Sequence, residues 1–390
     1  MKTSLIFLSA FLTTAHSQNA WEFRGQLENT LWVSDDIPAG FLEFDDGALN
    51  APQLSTSLNY QPDPRFLFHT TVQTDRGFDA GTAPDGDIRF DLLYLLYRPF
   101  GDTSLNIQVG KFGSVFGNWS EATRDSPFIL APLAYSSITG AGTKALGQLT
   151  GASVESRANA VGPTIHLNKE DWSPLIWGAA YSNGASIFGT LNEIDYAIEV
   201  KNTGIGSSPE EWRFGEGDFR DPLFSGRIGH RPNAAWNYGV SFSRGPYLDA
   251  DSFDAININW ERDDFNQTLT GIDVRWAHHD WIISGEAFFS EFERIGDNFL
   301  AFSYYLQARY KVAPGLSLAG RFGQTLSNEI TAPSGESVPW SPDLLRAELA
   351  LGWRITPDLS VQTQYTFTYV TNTFSAPDPH LFGTSISWDF

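Results

Sequence analysis

Charged side chains recur two residues apart in extended stretches of this chain, a spacing that predicts one polar, charge-bearing face. Asp273 and Arg275 are spaced in this way, and so are Arg346 and Glu348. Because successive side chains of a strand point to opposite faces, residues two apart share a face. Such charges could create a field that orients polar solutes, or they could form ion pairs that only keep a polar wall solvated. When the same alternation is followed along each extended stretch, the residues predicted to line this face are Arg24, Arg227, Arg275, Arg309, Arg321, Arg346, Glu286 and Glu348.

Three further basic residues, Lys111, Arg124 and Lys144, lie in or beside a long polar connection near 113–149. If that connection narrows a polar cavity, these side chains are candidates for contact with an anion on its way through. Salt bridges to the surrounding wall are the alternative role for all three.

The sequence contains residue types that can support catalysis or metal binding, but their spacing matches no motif for either function. His278-His279-Asp280 is the one histidine cluster, and it falls at a predicted turn. The stretch Gly-Ala-Gly-Thr-Lys at 140–144 lacks the spacing of a phosphate-binding loop, and no Gly-x-Ser-x-Gly elbow stands out. Acidic pairs such as Asp35-Asp36 could bind divalent cations, but none extends into a full calcium-binding loop. We therefore predict no enzyme activity, no catalytic residue, no metal site and no cofactor.

The elements that must position these residues are strands, because apolar and polar residues alternate with period two along much of the chain. Residues 345–355 and 361–369 show the pattern most clearly, and the polar positions are rich in Gly, Ser, Thr, Gln and Asn. Short turns alternate with long polar connections, which is typical of a transmembrane barrel. Closure into a barrel would leave no unpaired strand edge. The sixteen predicted strands lie near 21–33, 53–61, 65–74, 88–98, 104–112, 150–167, 174–184, 223–231, 235–244, 267–278, 280–292, 299–312, 315–326, 344–355, 358–371 and 380–390.

The N-terminus has the order of a secretory signal. Lys2 precedes the apolar residues 5–12, and Ala15-His16-Ser17 supplies small residues for cleavage. The apolar stretch is too short to span a bilayer as a helix, so residues 1–17 are predicted to be a signal peptide and 18–390 one exported domain. The absence of cysteine fits passage through an oxidising compartment. The net charge of −21 argues against a nucleic-acid partner, which would need lysine and arginine for its phosphates.

A more specific pattern begins where Val-Gly-Lys-Phe-Gly at 109–113 leads into Phe-Gly at 116–117 and a long third loop. Together with Arg-Asp-Ser-Pro-Phe-Ile at 124–129, it resembles the phosphate-selective porins and related general porins. The terminal Phe390 resembles the assembly signal of outer-membrane barrels. The resemblance implies an all-β barrel, a homotrimer, and a third loop near 113–149 folded into the lumen. It also implies lipid, lipopolysaccharide and the barrel-assembly machinery as partners.

These observations predict a porin of the bacterial outer membrane through which small hydrophilic solutes or ions diffuse, including anions such as phosphate. Three alternatives stay open at this point. One is an outer-membrane enzyme with a Ser and His pair at the rim or outer face. The second is a structural or adhesive barrel with a plugged lumen, and the third is a soluble all-β exported protein.

Overall fold

The computed structural model describes residues 20–34, 48–75, 87–118, 126–136, 175–177, 180–206, 219–248, 264–293, 297–331, 334–341, 343–371 and 380–390. In these ranges no helix combines the length and apolarity that a membrane span requires. They contain eighteen strands and a single helical turn, Leu133–Ser136. The strands are β1 Trp21–Val33, β2 Ala48–Asp63, β3 Phe66–Asp75, β4 Asp87–Tyr97, β5 Asn106–Phe112, β6 Ser182–Leu191, β7 Ile194–Lys201, β8 Leu223–Asn233, β9 Trp236–Pro246, β10 Asn266–His278, β11 Trp281–Phe292, β12 Phe299–Ala313, β13 Leu316–Ser327, β14 Glu329–Thr331, β15 Ser337–Pro339, β16 Leu344–Arg354, β17 Leu359–Val370 and β18 His380–Asp389.

Sixteen of the described strands form one closed antiparallel barrel, which confirms the predicted fold class and strand number. Neighbours in the barrel are neighbours in sequence, except that β14 and β15 form a separate two-stranded sheet between β13 and β16. The ring is closed where β18 pairs with β1, for example Ser387 with Glu28.

The two faces of the barrel wall differ in chemistry. Outward positions carry large apolar side chains that are open to the surroundings, such as Ile198 at 65% exposed and Leu349 at 61%. Inward positions carry small polar residues, and Ser303 and Gln364 are both 0% exposed. Aromatic rings stack at the turn end of the outer face, where Trp21 lies 4.0 Å from Tyr60. An apolar band ending in Trp and Tyr fits lipid hydrocarbon and its boundary with water.

The last residue takes part in barrel closure. Phe390 and Gly25 exchange two backbone hydrogen bonds, each 2.8 Å long. The phenyl ring of Phe390 covers Gly25 so closely that an added Cβ would lie 2.3 Å from it. Glycine is therefore required at position 25 if the terminal ring is to pack there. The role of Phe390 as an assembly signal stays a prediction.

Two predicted strands were misplaced. The predicted strand at 150–167 lies outside the described residues, but β5 pairs directly with β6, so no strand separates them in the barrel. The strand predicted at 174–184 begins only at Ser182, and the stretch left between the predicted strands 174–184 and 223–231 contains most of β6 and all of β7. The physical reason is composition: Ser182-Asn183-Gly184-Ala185-Ser186 is small and polar on both faces, which is typical of a loop. The connection between β5 and β6 therefore extends beyond the predicted 113–149, up to Tyr181.

Candidate functional site

The residues Ser126–Ser136, called the internal segment below, lie against the inner wall of the barrel. The Oε1 atom of Gln364 accepts hydrogen bonds from the backbone N–H groups of Ile129 at 2.7 Å and Leu130 at 3.0 Å. The side chain of Gln362 donates to the carbonyl oxygen of Ser126 at 2.9 Å. These glutamines belong to β17, six places from β5 round the barrel by way of β4, β3, β2, β1 and β18. The connection that leaves β5 therefore crosses the lumen.

A buried ion pair holds the same part of the internal segment. Arg321 on β13 pairs with Glu348 on β16, and both side chains are at most 2% exposed. Arg321 also donates to the carbonyl oxygen of Leu130 at 2.7 Å, and its guanidinium lies 4.2 Å from the centre of the Phe128 ring. Gln364 completes the network by donating to Glu348 at 2.7 Å. Since β13 is eight places from β5 in a ring of sixteen, the segment reaches the opposite wall.

Glu286 on β11 fastens two other points of the connection. Its carboxylate accepts from the backbone N–H of Asn118 at 2.5 Å and from the hydroxyls of Tyr135 at 2.9 Å and Tyr305 at 2.8 Å. Burial raises the pKa of Tyr135 well above its usual value, so the hydroxyl stays protonated and can donate. Glu286 thus joins the start of the connection to its helical turn.

A fully buried pair on β7, Glu199 and Lys201, holds the two ends of the connection together. The Nζ atom of Lys201 donates to the carbonyl oxygens of Phe112 at 2.7 Å and Ala180 at 3.0 Å. Glu199 accepts from the hydroxyl of Ser114 at 2.8 Å and lies 3.6 Å from Lys201. The alternation used in the sequence analysis does not identify these two residues, because they lie between the predicted strands 174–184 and 223–231. The period-two alternation of residues 194–201 was the signal that could have placed them.

The eight charges predicted to line the interior divide into two groups. Arg321, Arg346, Glu286 and Glu348 are on the inner face, but each is at most 5% exposed. The other four, Arg24, Arg227, Arg275 and Arg309, also have inward positions. Arg24 pairs with Glu22, and Arg227 bonds to Asp273 at 2.6 and 2.9 Å.

Lys111 lies in β5 and is 4% exposed, so its ammonium is not presented to open water. It interacts electrostatically with Asp91 on β4. Arg124 and Lys144 lie outside the described residues. Contact of these three residues with a permeant stays a prediction.

The inner face of β2 and β3 differs from the opposite wall. Ser55 and Ser57 on β2 and Thr71 on β3 are half-exposed, whereas Ser303 and Gln364 across the barrel are fully covered. Ser57 and Thr71 are directly paired across the two strands. Part of the water-accessible inner wall therefore lies on the β2–β3 side.

No family model matches the chain, and no curated protein matches it in sequence. Solved structures do match it in fold. The outer membrane channel DcaP of Acinetobacter baumannii is similar with a TM-score of 0.59 at 11% identity, covering 95% of this chain and 97% of that one. The anion-selective porin from Comamonas acidovorans gives 0.54 at 8% identity, covering 95% and 99%. The trimer form of OmpT, an outer membrane protein of Vibrio cholerae, gives 0.55 at 11% identity, covering 95% and 99%. The chain therefore has the general porin fold, a closed sixteen-stranded barrel. Its apolar outer face and its similarity to these structures place it in a bacterial outer membrane.

Proposed function

We propose that this barrel is a porin through which small hydrophilic solutes and ions diffuse passively. The observation that carries the proposal is the contrast between the two faces of one closed wall. The outer face is apolar and the inner face is polar, and part of that inner face is left half-exposed beside the internal segment. A polar lumen inside an apolar cylinder provides a water-filled route across hydrocarbon. The proposal involves no catalysis, metal or cofactor.

The internal segment narrows the water-filled route through the lumen but does not close it. It is fastened to β11, β13 and β17 by Glu286, Arg321 and Gln364, while the β2–β3 wall keeps its inner face half-exposed. A permeant must enter and leave, so weak contacts at such a constriction suit passage.

We further propose a weak preference for anions, with phosphate as one of several that pass. Four predicted charges are buried in the wall, which leaves Arg24, Arg227, Arg275 and Arg309 closer to the solution. Arg24 and Arg227 form ion pairs with carboxylates. Arg275 and Arg309 add two further positive charges to the inner face that an ion meets. Two arginines on different strands support a modest preference and no dedicated phosphate site.

Conductance through planar bilayers tests the proposal. The purified protein should give discrete steps of ohmic current, and a potassium chloride gradient should give a small reversal potential of anionic sign. Arg275→Glu with Arg309→Glu should shift that potential in the cation direction. Arg65→Glu, at the exposed β2–β3 turn, is the matched control, because charges beyond about 8 Å are screened at physiological salt. An absence of current from folded protein would refute the porin proposal.

A homotrimer is also part of the proposal, supported by the trimer form of OmpT among the structures of similar fold. Contacts with lipopolysaccharide and the barrel-assembly machinery follow from an outer-membrane location. Sedimentation equilibrium in detergent should give three times the mass of one chain, and a monomer mass under mild extraction would contradict this part.

A further inference from the structure

The wall that the internal segment leaves uncovered has a chemistry of its own. The inward positions on β2 and β3 include Ser55, Ser57, Asn59, His69 and Thr71, and all five are half-exposed. They form one continuous patch, because Ser57 is paired with Thr71 and Asn59 with His69. Hydroxyl, amide and imidazole groups can both donate and accept hydrogen bonds. The patch therefore offers hydrogen bonds without a formal charge.

Internal bonds keep this patch neutral and ordered. The ring nitrogens of His69 lie 2.6 Å from Asn59 Oδ1 and 3.1 Å from Thr71 Oγ1, so the imidazole bonds to neutral partners on both sides. The Tyr94 ring lies 5.0 Å from the His69 ring and is half-exposed, which adds a flat apolar surface to the polar one. Ser55 and Ser57 have no side-chain hydrogen bond to another described residue, so their hydroxyls remain available to a solute.

Charges that border the patch are neutralised by one another. Arg89 on β4 donates to Asp75 at 2.6 and 2.9 Å and to Asp91 at 2.9 Å. Lys111 interacts with Asp91 as well, so among the described residues of β3 to β5 Arg89 and Lys111 offset Asp75 and Asp91. On the other side of the patch, Arg24 is paired with Ser57 and forms an ion pair with Glu22. Glu22 also accepts a hydrogen bond from Asn59 at 3.1 Å. An ion that passes here gains little, whereas a neutral solute can exchange its bonds to water for bonds to the wall.

We propose that the inner face of β2 and β3 is a guiding surface for uncharged, hydroxyl-rich solutes, of which saccharides are the class. The inference rests on the proposed porin function and names the solute for which its lumen is built. Hydroxyl groups of the solute bond to Ser55 and Ser57, and the apolar face of a sugar ring packs on Tyr94. Each contact is weak and several succeed one another along the strand, which favours passage over retention.

Liposome swelling tests the inference with two solutes of nearly equal size, maltose and the anion lactobionate. Maltose should enter several-fold faster than lactobionate, and maltose should reduce the ion current through single channels in bilayers. Ser55→Val combined with Ser57→Val should lower the maltose rate and relieve the current block. Thr56→Val is the matched control, because Thr56 lies between the two serines and points to the outer face. It should behave as wild type.

The outcomes separate the inference from the function on which it rests. Folded protein that carries neither ions nor solutes would overturn the porin proposal. Ion current with equal or faster entry of lactobionate would overturn the saccharide inference alone. A serine double variant whose maltose flux and current block match those of Thr56→Val would also overturn it, and normal heat-modifiable migration would show that both variants are folded.

Discussion

Leu349→Arg places a charge at the centre of the outer face and tests the assignment of the two faces. Leu349 is the middle residue of β16, its side chain is 61% exposed, and its paired neighbours are Gly320 and Tyr365. No acidic partner is paired with it across either strand. A basic residue at the bilayer midplane of a barrel costs about 2–4 kcal/mol. Because 1.4 kcal/mol is a factor of ten, the folding equilibrium should fall by roughly 30- to 700-fold.

The assay is urea titration of the protein in phospholipid vesicles, followed by tryptophan fluorescence and by heat-modifiable migration. Ser57→Arg is the matched control, since Ser57 is inward and half-exposed. Its guanidinium should be hydrated in the lumen, with a loss of less than about 1 kcal/mol, as for surface substitutions. Gln364→Arg would be a poor control, because Gln364 is 0% exposed and fastens the internal segment. Equal losses from Leu349→Arg and Ser57→Arg would show that the faces are assigned wrongly.

Three further changes test barrel closure and the fastening of the connection. Deletion of Phe390 should lower the folded yield, because it removes two backbone hydrogen bonds at the seam between the first and last strands; a normal heat-modifiable band would contradict this. Lys201→Met should destabilise the barrel by about 3–5 kcal/mol in urea titration, since it leaves Glu199 buried without its cation. Adding Glu199→Gln should recover part of that loss, and no recovery would argue against the charge as the cause. Gln364→Leu should raise single-channel conductance by releasing two backbone N–H groups of the internal segment, whereas Gln307→Leu on β12 should not; equal conductance in both would mean that Gln364 does not hold the constriction.

The fold could be predicted where one face of a strand differs clearly from the other. The stretch 344–355 was assigned from its alternation alone, and the observed strand is Leu344–Arg354. The alternation has a physical cause, since one face meets lipid and the other a polar lumen. At β6 the contrast disappears: Ser182, Gly184 and Ser186 point inward, and small or polar Asn183 and Ala185 alternate with them. Such a strand is specified by its neighbours β5 and β7, which local sequence does not reveal.

The face of the wall on which each candidate-site residue lies could be predicted from the sequence, but the degree of its burial could not. Period two places Glu348 and Arg321 on the inner wall, yet their burial depends on Leu130, which is 191 residues from Arg321. Nothing near Glu348 in sequence indicates that a distant loop will cover it. The same limit applies to Glu286, whose partner Tyr135 is 151 residues away. Period-two alternation therefore shows on which face of the wall a residue lies, but it does not show whether a loop buries that residue.

The reach of the internal segment has a consequence for the order of assembly. The backbone of Ile129 is bound by Gln364, which follows it by 235 residues. The two ends of the same connection, at Phe112 and Ala180, are bound by Lys201, which follows them by only 89 and 21 residues. During synthesis and export the base of the connection can therefore be fixed long before its far end has a place to attach. Gln364 lies on β17, and only β18 follows β17 before the ring closes on β1. We therefore expect the contacts between the connection and β17 to form late, at the stage when the last strands complete the wall.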